Sequence, residues 1–156
     1  MKINKKLLAI CLIIPLGVGG LSALLTMGSM EAFSSLEQPP LSPPAWLFPV
    51  VWTVLFALMG VSLYRVLTSG AAQDAITAAL AVFALGLAFN FFWSIWFFNF
   101  GWYWFAFVWL LTLWVFIIIN TVMFWRIDKT AGYLMIPYIA WVTFAAYLNA
   151  AIAWLN

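Results

Sequence analysis

Hydrophobic residues fill this chain in long blocks, and the few charged positions separate the blocks. The charge-free runs contain 24, 27, 51 and 27 residues and cover positions 7–30, 38–64, 75–125 and 130–156. Because a membrane-spanning helix needs about 20 apolar residues, these runs predict one, one, two and one spanning helices. The longest run has a polar, glycine-containing break at Asn99-Phe100-Gly101, which divides it in two. The pattern therefore predicts five spanning helices.

The predicted fold is an all-α bundle that forms one domain over residues 1–156. A loop is expected over 29–42, between the first two helices. Ser42 precedes Pro43 and Pro44, and this order is typical of a helix N-terminus, where proline need not supply an N–H group. We therefore expect Ser42 to cap the second helix. The five helices are predicted near 7–28, 44–67, 75–98, 103–125 and 131–154.

Charged residues predict the orientation of the bundle. With five spans, one side or its edge holds every basic residue, and the opposite side holds only Glu31 and Glu37. Basic residues stay on the cytoplasmic side, so we expect the N-terminus inside and the C-terminus outside a bacterial cytoplasmic membrane. A cleaved secretory signal at the N-terminus is the alternative, but it would leave four helices and abolish the charge asymmetry. The basic residues are Lys2, Lys5, Lys6, Arg65, Arg126 and Lys129.

Composition narrows the chemistry that the chain can perform. Hydrophobic residues make up 68% of the chain and charged residues 6%, against about 25% charged residues in a soluble domain. There is no histidine, the one cysteine is Cys11, and no acid or base lies within a predicted span. Metal sites, nucleophilic triads and proton relays need ionisable groups close together. We therefore expect no metal site, no obligatory cofactor and no nucleic-acid partner, and we expect membrane lipid around the bundle.

Aromatic residues are abundant, with 11 Trp, 15 Phe and 5 Tyr. Tryptophans near predicted helix ends fit an interfacial belt, in which one edge of the ring stays wet. Deeper tryptophans are expected inside the bundle, because a buried indole N–H requires a hydrogen-bond partner. They serve there as packing or as the walls of a pocket. The first group is Trp46, Trp102, Trp104, Trp125 and Trp154, and the second is Trp52, Trp93, Trp96, Trp109, Trp114 and Trp141.

Two helical stripes favour a pocket. Tyr138, Trp141, Ala145 and Asn149 recur at spacings of three and four on the last helix, so large rings alternate with a small residue. On the third helix, Asn90, Trp93 and Phe97 recur in the same way. The Asn90 amide is either a link between helices or a ligand contact. Pro137 frees the carbonyl of Tyr133 and can kink the last helix beside its stripe. These features predict an apolar, aromatic cavity with few polar anchors.

Three motifs, in order along the chain, resemble the tryptophan-rich sensory protein and translocator protein family (TspO/MBR, also called peripheral benzodiazepine receptors). The first is Pro43-Pro44-Ala45-Trp46 followed by Phe48-Pro49-Val50-Val51-Trp52-Thr53. The second is Ala88-Phe89-Asn90-Phe91-Phe92-Trp93-Ser94 leading to Phe97-Phe98. The third is Ile136-Pro137-Tyr138-Ile139-Ala140-Trp141 with Phe144-Ala145 and Leu148-Asn149. The resemblance covers nearly the whole chain.

The resemblance implies a five-helix bundle, usually a homodimer, that binds protoporphyrin IX, haem, sterols or synthetic benzodiazepine-type ligands beneath a lid formed by the first loop. Its ligand contacts correspond to Trp52, Asn90, Trp141 and Ala145, with Trp46 near the mouth. Many members have a Trp-Tyr pair in the lid where this chain has Ala32-Phe33, so a phenol contact is missing at Phe33. The cholesterol motif is also incomplete, because no basic residue follows Tyr147.

Three functions follow from these expectations. The first is a receptor or sensor in which Trp52, Trp93 and Trp141 hold a porphyrin by stacking, so that metal-free porphyrin binds about as well as haem. The second is light- and oxygen-dependent porphyrin degradation, with Trp52 and Trp141 as candidate catalytic residues. The third is transport, although no inverted repeat supports it. A homodimer is expected through small residues of the third helix, namely Ala71, Ala75, Ala79, Ala84 and Ala88.

Overall fold

Six α-helices account for most of residues 3–156, the part of the chain that the computed structural model describes. Five helices are long and apolar enough to cross a membrane, no strand occurs in that part of the chain, and α2 is a short helix in the first loop. The predicted all-α fold with five spans is confirmed, and the protein is an integral membrane protein. The helices are α1 Lys5–Thr26, α2 Met30–Ser34, α3 Leu47–Leu67, α4 Gln73–Ser94, α5 Tyr103–Ile127 and α6 Lys129–Leu155.

The start of α3 differs from the expectation. The helix begins at Leu47, and the Ser42 hydroxyl donates to the Gln38 side chain at 3.3 Å instead of capping the helix. The predicted Ser42 cap is therefore wrong. The reason is that a proline disfavours helical backbone at the residue before it, so Pro43 and Pro44 delay the helix. Pro49 is tolerated because it lies in the first turn, where its missing N–H is not needed.

The break between α4 and α5 lies where the sequence predicts it. After α4 the chain widens into a π-helical turn over Ile95–Asn99, and Gly101 then adopts a left-handed conformation with φ of 63°. Asn99 fastens this turn to the end of α1, because its amide donates to the Leu25 carbonyl at 3.1 Å and accepts from the Ser29 hydroxyl at 2.7 Å. The break is thus anchored to a neighbouring helix.

Close backbone approach shapes two helix pairs. Gly60 of α3 lies against the backbone of Cys11 and Leu12 in α1, where an added Cβ would come within 2.7 Å of the Cys11 carbonyl oxygen. Gly132 of α6 lies against Trp125 of α5 in the same manner. Small residues permit this approach in membrane bundles, where packing between helices supplies much of the stability. The α5–α6 pair is further constrained because only Asp128 joins the two helices.

A polar cluster marks the end of the bundle opposite the first loop. Arg65 donates two hydrogen bonds to the Asp128 carboxylate, at 2.9 and 2.8 Å, and Asp128 caps α6 by accepting from the Ala131 N–H at 2.8 Å. The Asn4 N–H, just before α1, donates to the Tyr64 hydroxyl at this same end. This arrangement places the start of α1 beside the basic end of α3. Lys2 lies outside the described residues, and the inside orientation of this end stays a prediction.

The Arg65–Asp128 pair predicts a pH-dependent stability. Hydrogen bonding from Arg65 holds the pKa of the Asp128 carboxyl below its usual value, against the opposing effect of burial. A lowered folded-state pKa means that the pair stabilises the fold above the unfolded-state pKa of about 3.9, and that this stability is lost as pH falls through the folded-state pKa. Asp128→Asn retains the capping oxygen but removes the charge. Its melting temperature in detergent should be lower than wild type at pH 7, and the difference should start to shrink only below about pH 4, as pH falls toward the lowered folded-state pKa.

The control for this prediction is Asp74→Asn, because Asp74 is an exposed carboxylate in the first turn of α4. It forms no salt bridge within the described residues, so its substitution should change the melting temperature less. A loss at Asp128→Asn of equal size at pH 3 and pH 7 would contradict the charge-based explanation.

The small residues expected at a dimer contact do not share one environment. Ala79 is completely buried inside the single-chain bundle, whereas Ala75, Ala84 and Ala88 are exposed. Ala79 therefore serves packing within the chain. A dimer through the exposed face of α4 stays a prediction.

Candidate ligand-binding site

Three of the expected site residues meet at the centre of the bundle. The Asn90 amide of α4 donates to the Tyr138 hydroxyl of α6 at 2.9 Å, and both side chains are buried. The Trp52 ring of α3 meets Tyr138 edge to face at 6.2 Å and stacks on Phe56 at 5.5 Å. The link from Asn90 to another helix, one of the two roles left open by the sequence, is therefore present.

A second hydrogen-bonded group lies nearer the lid. The Trp93 indole N–H donates to the Asn149 Oδ1 at 3.0 Å, and the Asn149 amide donates to the Tyr103 carbonyl at 2.8 Å. Ala145 is buried one turn before Asn149 on α6. Asn149 was not among the predicted ligand contacts, although its place in the α6 stripe is the sequence signal that marks it. It joins α4, α5 and α6 at this level.

Trp141 lies apart from the inward face of α6. At about 100° per residue, Tyr138, Ala145 and Asn149 fall within about 40° of one another, but Trp141 is offset from Tyr138 by about 60°. The structure accordingly buries the first three and turns Trp141 toward α3, where it meets Phe48 at 5.9 Å. The predicted single stripe is thus two adjacent faces.

Trp141 forms part of the wall of a groove between α3 and α6, which we call the α3–α6 groove. Its volume is about 550 Å³, within the range of about 300–1,000 Å³ that is usual for small-molecule sites. Its Val50 and Val54 walls are half exposed on the outside of the bundle, so the groove opens toward the bilayer. The Trp141 indole N–H is buried without a hydrogen-bond partner. The lining residues are Val50, Val51, Val54, Leu55, Leu58, Pro137, Ala140, Trp141 and Phe144.

The first loop covers one end of the bundle. Phe33 packs on Phe97 and Phe98, with ring centroids 5.8 and 5.2 Å apart. The Tyr147 hydroxyl donates to the Pro40 carbonyl at 2.9 Å, and Glu37 exchanges two backbone-to-amide hydrogen bonds with Asn156. These contacts fasten the loop to α6 and to the π-helical turn that follows α4. Trp46, by contrast, is 65% exposed just before α3 begins.

The other tryptophans divide as the sequence predicts. The five near helix ends are exposed, and the six deeper ones are buried or half buried. Trp109 and Trp114 donate to the Phe89 carbonyl and the Thr143 hydroxyl at 2.8 Å each, which indicates that they serve packing. Among the deeper tryptophans, Trp96 and Trp141 have indole N–H groups that are buried without a hydrogen-bond partner among residues 3–156.

The donor set of the site suits an organic ring more than a metal ion. No group of three His, Cys, Asp or Glu side chains lies close enough to hold a metal within the described residues. The polar atoms near the groove and the bundle centre are an indole N–H, an amide and a phenol. Such groups orient an apolar ligand by one or two hydrogen bonds, while the surrounding hydrocarbon and rings supply contact area.

Comparison with known proteins agrees with this architecture. The model of the TspO/MBR family matches residues 11–155. The tryptophan-rich protein TspO of Chlorobaculum tepidum is 37% identical over 156 residues, covering 98% of this chain and 99% of that protein. The tryptophan-rich sensory protein of Cereibacter sphaeroides is 35% identical and covers 76% of this chain and 73% of its own length. The translocator protein of Ovis aries is 37% identical over 75% of this chain and 70% of its own length. The chain belongs to the TspO/MBR family.

Proposed function

We propose that this protein is a membrane receptor that binds a flat, apolar tetrapyrrole such as protoporphyrin IX, with its N-terminus on the cytoplasmic side. The α3–α6 groove carries the proposal, because it combines a volume of about 550 Å³ with an apolar wall that includes the Trp141 and Phe144 rings. The Trp141 indole N–H is buried without a partner, at a cost of about 1–3 kcal/mol, and a ligand that turns the ring so that this N–H donates to it would recover part of that cost.

Stacking and burial supply most of the expected affinity. A porphyrin presents a large apolar face, and each square ångström of apolar surface removed from water contributes about 25 cal/mol. Trp141 and Phe144 offer rings along α6, and Leu55 and Leu58 offer hydrocarbon along α3. None of these groups is an axial ligand for iron, so haem should have no advantage over the metal-free ring.

The bundle centre gives the groove a rigid support. Trp52 and Tyr138, which meet edge to face, lie on the two helices that form the groove. The Asn90–Tyr138 and Trp93–Asn149 hydrogen bonds fix α6 against α4, with Ala145 between their two levels. These buried contacts favour a preformed ligand site. Substitutions at these residues, which do not line the groove, should therefore alter ligand affinity indirectly.

The proposal is tested by titrating purified protein with protoporphyrin IX in the dark while following porphyrin absorbance and tryptophan fluorescence. Wild-type protein should bind saturably. Trp141→Ala removes the donor and a ring, and it should weaken affinity about tenfold, which corresponds to about 1.4 kcal/mol. Ala140→Trp places a large ring in the groove and should weaken affinity by at least as much, because it removes space without removing the donor.

The matched control is Trp104→Ala, since Trp104 is 54% exposed on α5 and does not line the groove. It should retain wild-type affinity. Thermal melts of all variants distinguish a lost ligand site from a lost fold. Unchanged affinity in both Trp141→Ala and Ala140→Trp would reject the groove as the site, and the absence of saturable binding in wild type would reject the receptor proposal.

A second candidate function, favoured by the unpaired Trp141 indole in the groove wall, is photo-oxidative porphyrin degradation. One dioxygen molecule would add across a methine C=C bond of the illuminated ring, and that bond would break to give two C=O groups. Dioxygen is thereby reduced and the porphyrin oxidised. Illumination of the titrated complex in air tests this candidate, because bleaching that requires folded protein supports it, and equal bleaching with heat-denatured protein rejects it.

A further inference from the structure

A second, much smaller cavity lies in the interior of the bundle, away from the α3–α6 groove. Its volume is about 10 Å³, and its wall is apolar except for Asn120 of α5 and Tyr138 of α6. A cavity must offer about 10–15 Å³ to hold a water molecule, and it must also offer polar partners. This cavity is at that size, so the hydrogen bonding of its two polar residues decides what it can hold.

Asn120 has one satisfied and one unsatisfied polar atom. Its amide nitrogen donates to the Ala79 carbonyl at 2.9 Å, whereas its Oδ1 is buried with no hydrogen-bond partner. The residue is 2% exposed. Exchanging the amide nitrogen and oxygen would not help, because the carbonyl of Ala79 can only accept a hydrogen bond. An unpaired acceptor therefore remains in the cavity wall.

Tyr138 supplies a complementary group. Its hydroxyl accepts from the Asn90 amide at 2.9 Å, and a hydroxyl can also donate one hydrogen bond. Among residues 3–156, the structure shows no hydrogen bond that the Tyr138 hydroxyl donates. A water molecule both donates and accepts, so it can bond to Asn120 Oδ1 and to the Tyr138 hydroxyl at once.

We propose that this cavity is a binding site for one water molecule, which donates to Asn120 Oδ1 and accepts from the Tyr138 hydroxyl. The water completes a hydrogen-bonded chain that runs from Asn90 through Tyr138 and Asn120 to the Ala79 carbonyl. This series of hydrogen bonds starts on α4, crosses to α6, continues to α5 and ends on α4. Asn120 is thus a positioning residue for Tyr138, and the site exists whether or not a tetrapyrrole binds in the groove.

Direct observation of the water is the first test. A structure of the wild-type protein, determined at a resolution that shows ordered water, should contain a density peak within hydrogen-bond distance of both Asn120 Oδ1 and the Tyr138 hydroxyl. A wild-type structure without that peak, or one in which a side chain fills the cavity, would overturn the proposal. This test does not depend on the folding of any variant.

A double-mutant cycle gives an independent readout in solution. Asn120→Leu and Tyr138→Phe, singly and together, are compared with wild type by the unfolding equilibrium in detergent. A bridging water should couple the two sites by about threefold in the unfolding equilibrium constant, the size typical of polar contacts within membrane bundles. The control pair is Thr121→Val with Tyr138→Phe, because the buried Thr121 hydroxyl bonds to Ile117 within its own helix. The control pair should be additive, and equal additivity at Asn120 would contradict the bridge.

Discussion

Gly60→Val should destabilise the protein by about 3 kcal/mol, at the upper end of the effects seen when a side chain is forced into a packed core. An ideal Cβ at Gly60 comes within 2.7 Å of the Cys11 carbonyl oxygen and 2.8 Å of the Leu12 Cα. Both atoms belong to the backbone of α1, so no side chain can rotate to make space. The α1–α3 contact must therefore separate.

The loss of stability in Gly60→Val should appear as a lower midpoint concentration when the protein is unfolded by a denaturing detergent. Gly20→Val is the matched control, since Gly20 lies in α1 and an added Cβ meets nothing within 4 Å. Its midpoint should stay near that of wild type. Comparable losses in the two variants would show that valine acts through helix propensity and not through the close approach at Gly60.

Asn149→Leu should cost about 3 kcal/mol, because it removes both hydrogen bonds that Asn149 makes between helices. The buried Trp93 indole N–H would lose its hydrogen-bond partner, and the Tyr103 carbonyl would lose its link to α6. A buried polar group left unpaired costs about 1–3 kcal/mol. The measurement is the midpoint of detergent unfolding, with near-ultraviolet circular dichroism to follow the packing of Trp93.

A second substitution isolates the cause of this loss. Trp93→Phe in the Asn149→Leu background removes the unpaired indole donor while keeping a ring at that position. Replacing both partners of a buried hydrogen bond by apolar groups can be nearly neutral, so the double variant should be more stable than Asn149→Leu alone. A double variant less stable than either single variant would indicate that ring volume, and not the hydrogen bond, dominates.

Run lengths in the sequence were sufficient to predict the helices. Each charge-free run must cross the bilayer as a helix, because backbone groups in hydrocarbon have no other hydrogen-bond partners. The break at Gly101 was predictable for a similar reason, since a left-handed backbone conformation favours glycine. The delayed start of α3 was not, because the successive prolines fit either the first turn of a helix or the segment before it.

The candidate site was harder to predict from the sequence than the helices were. Spacing on α6 identified Tyr138, Ala145 and Asn149 as one inward face, but it assigned Trp141 to that face as well. The direction of Trp141 depends on where α3 packs, and a single helix does not encode the position of its neighbour. The unpaired Oδ1 of Asn120 was missed for the same reason, because its surroundings come from other helices.

The single-residue link between α5 and α6 has a consequence for biogenesis. The last spanning segment, Lys129–Leu155, is the least apolar of the five, whereas α5 is strongly apolar. The least apolar segment gains the least free energy by entering lipid alone, and the Asp128 link leaves no length of chain that could separate α6 from α5. We therefore expect the two helices to leave the translocon as one hairpin, so that the α6 wall of the groove is completed only by this last insertion event.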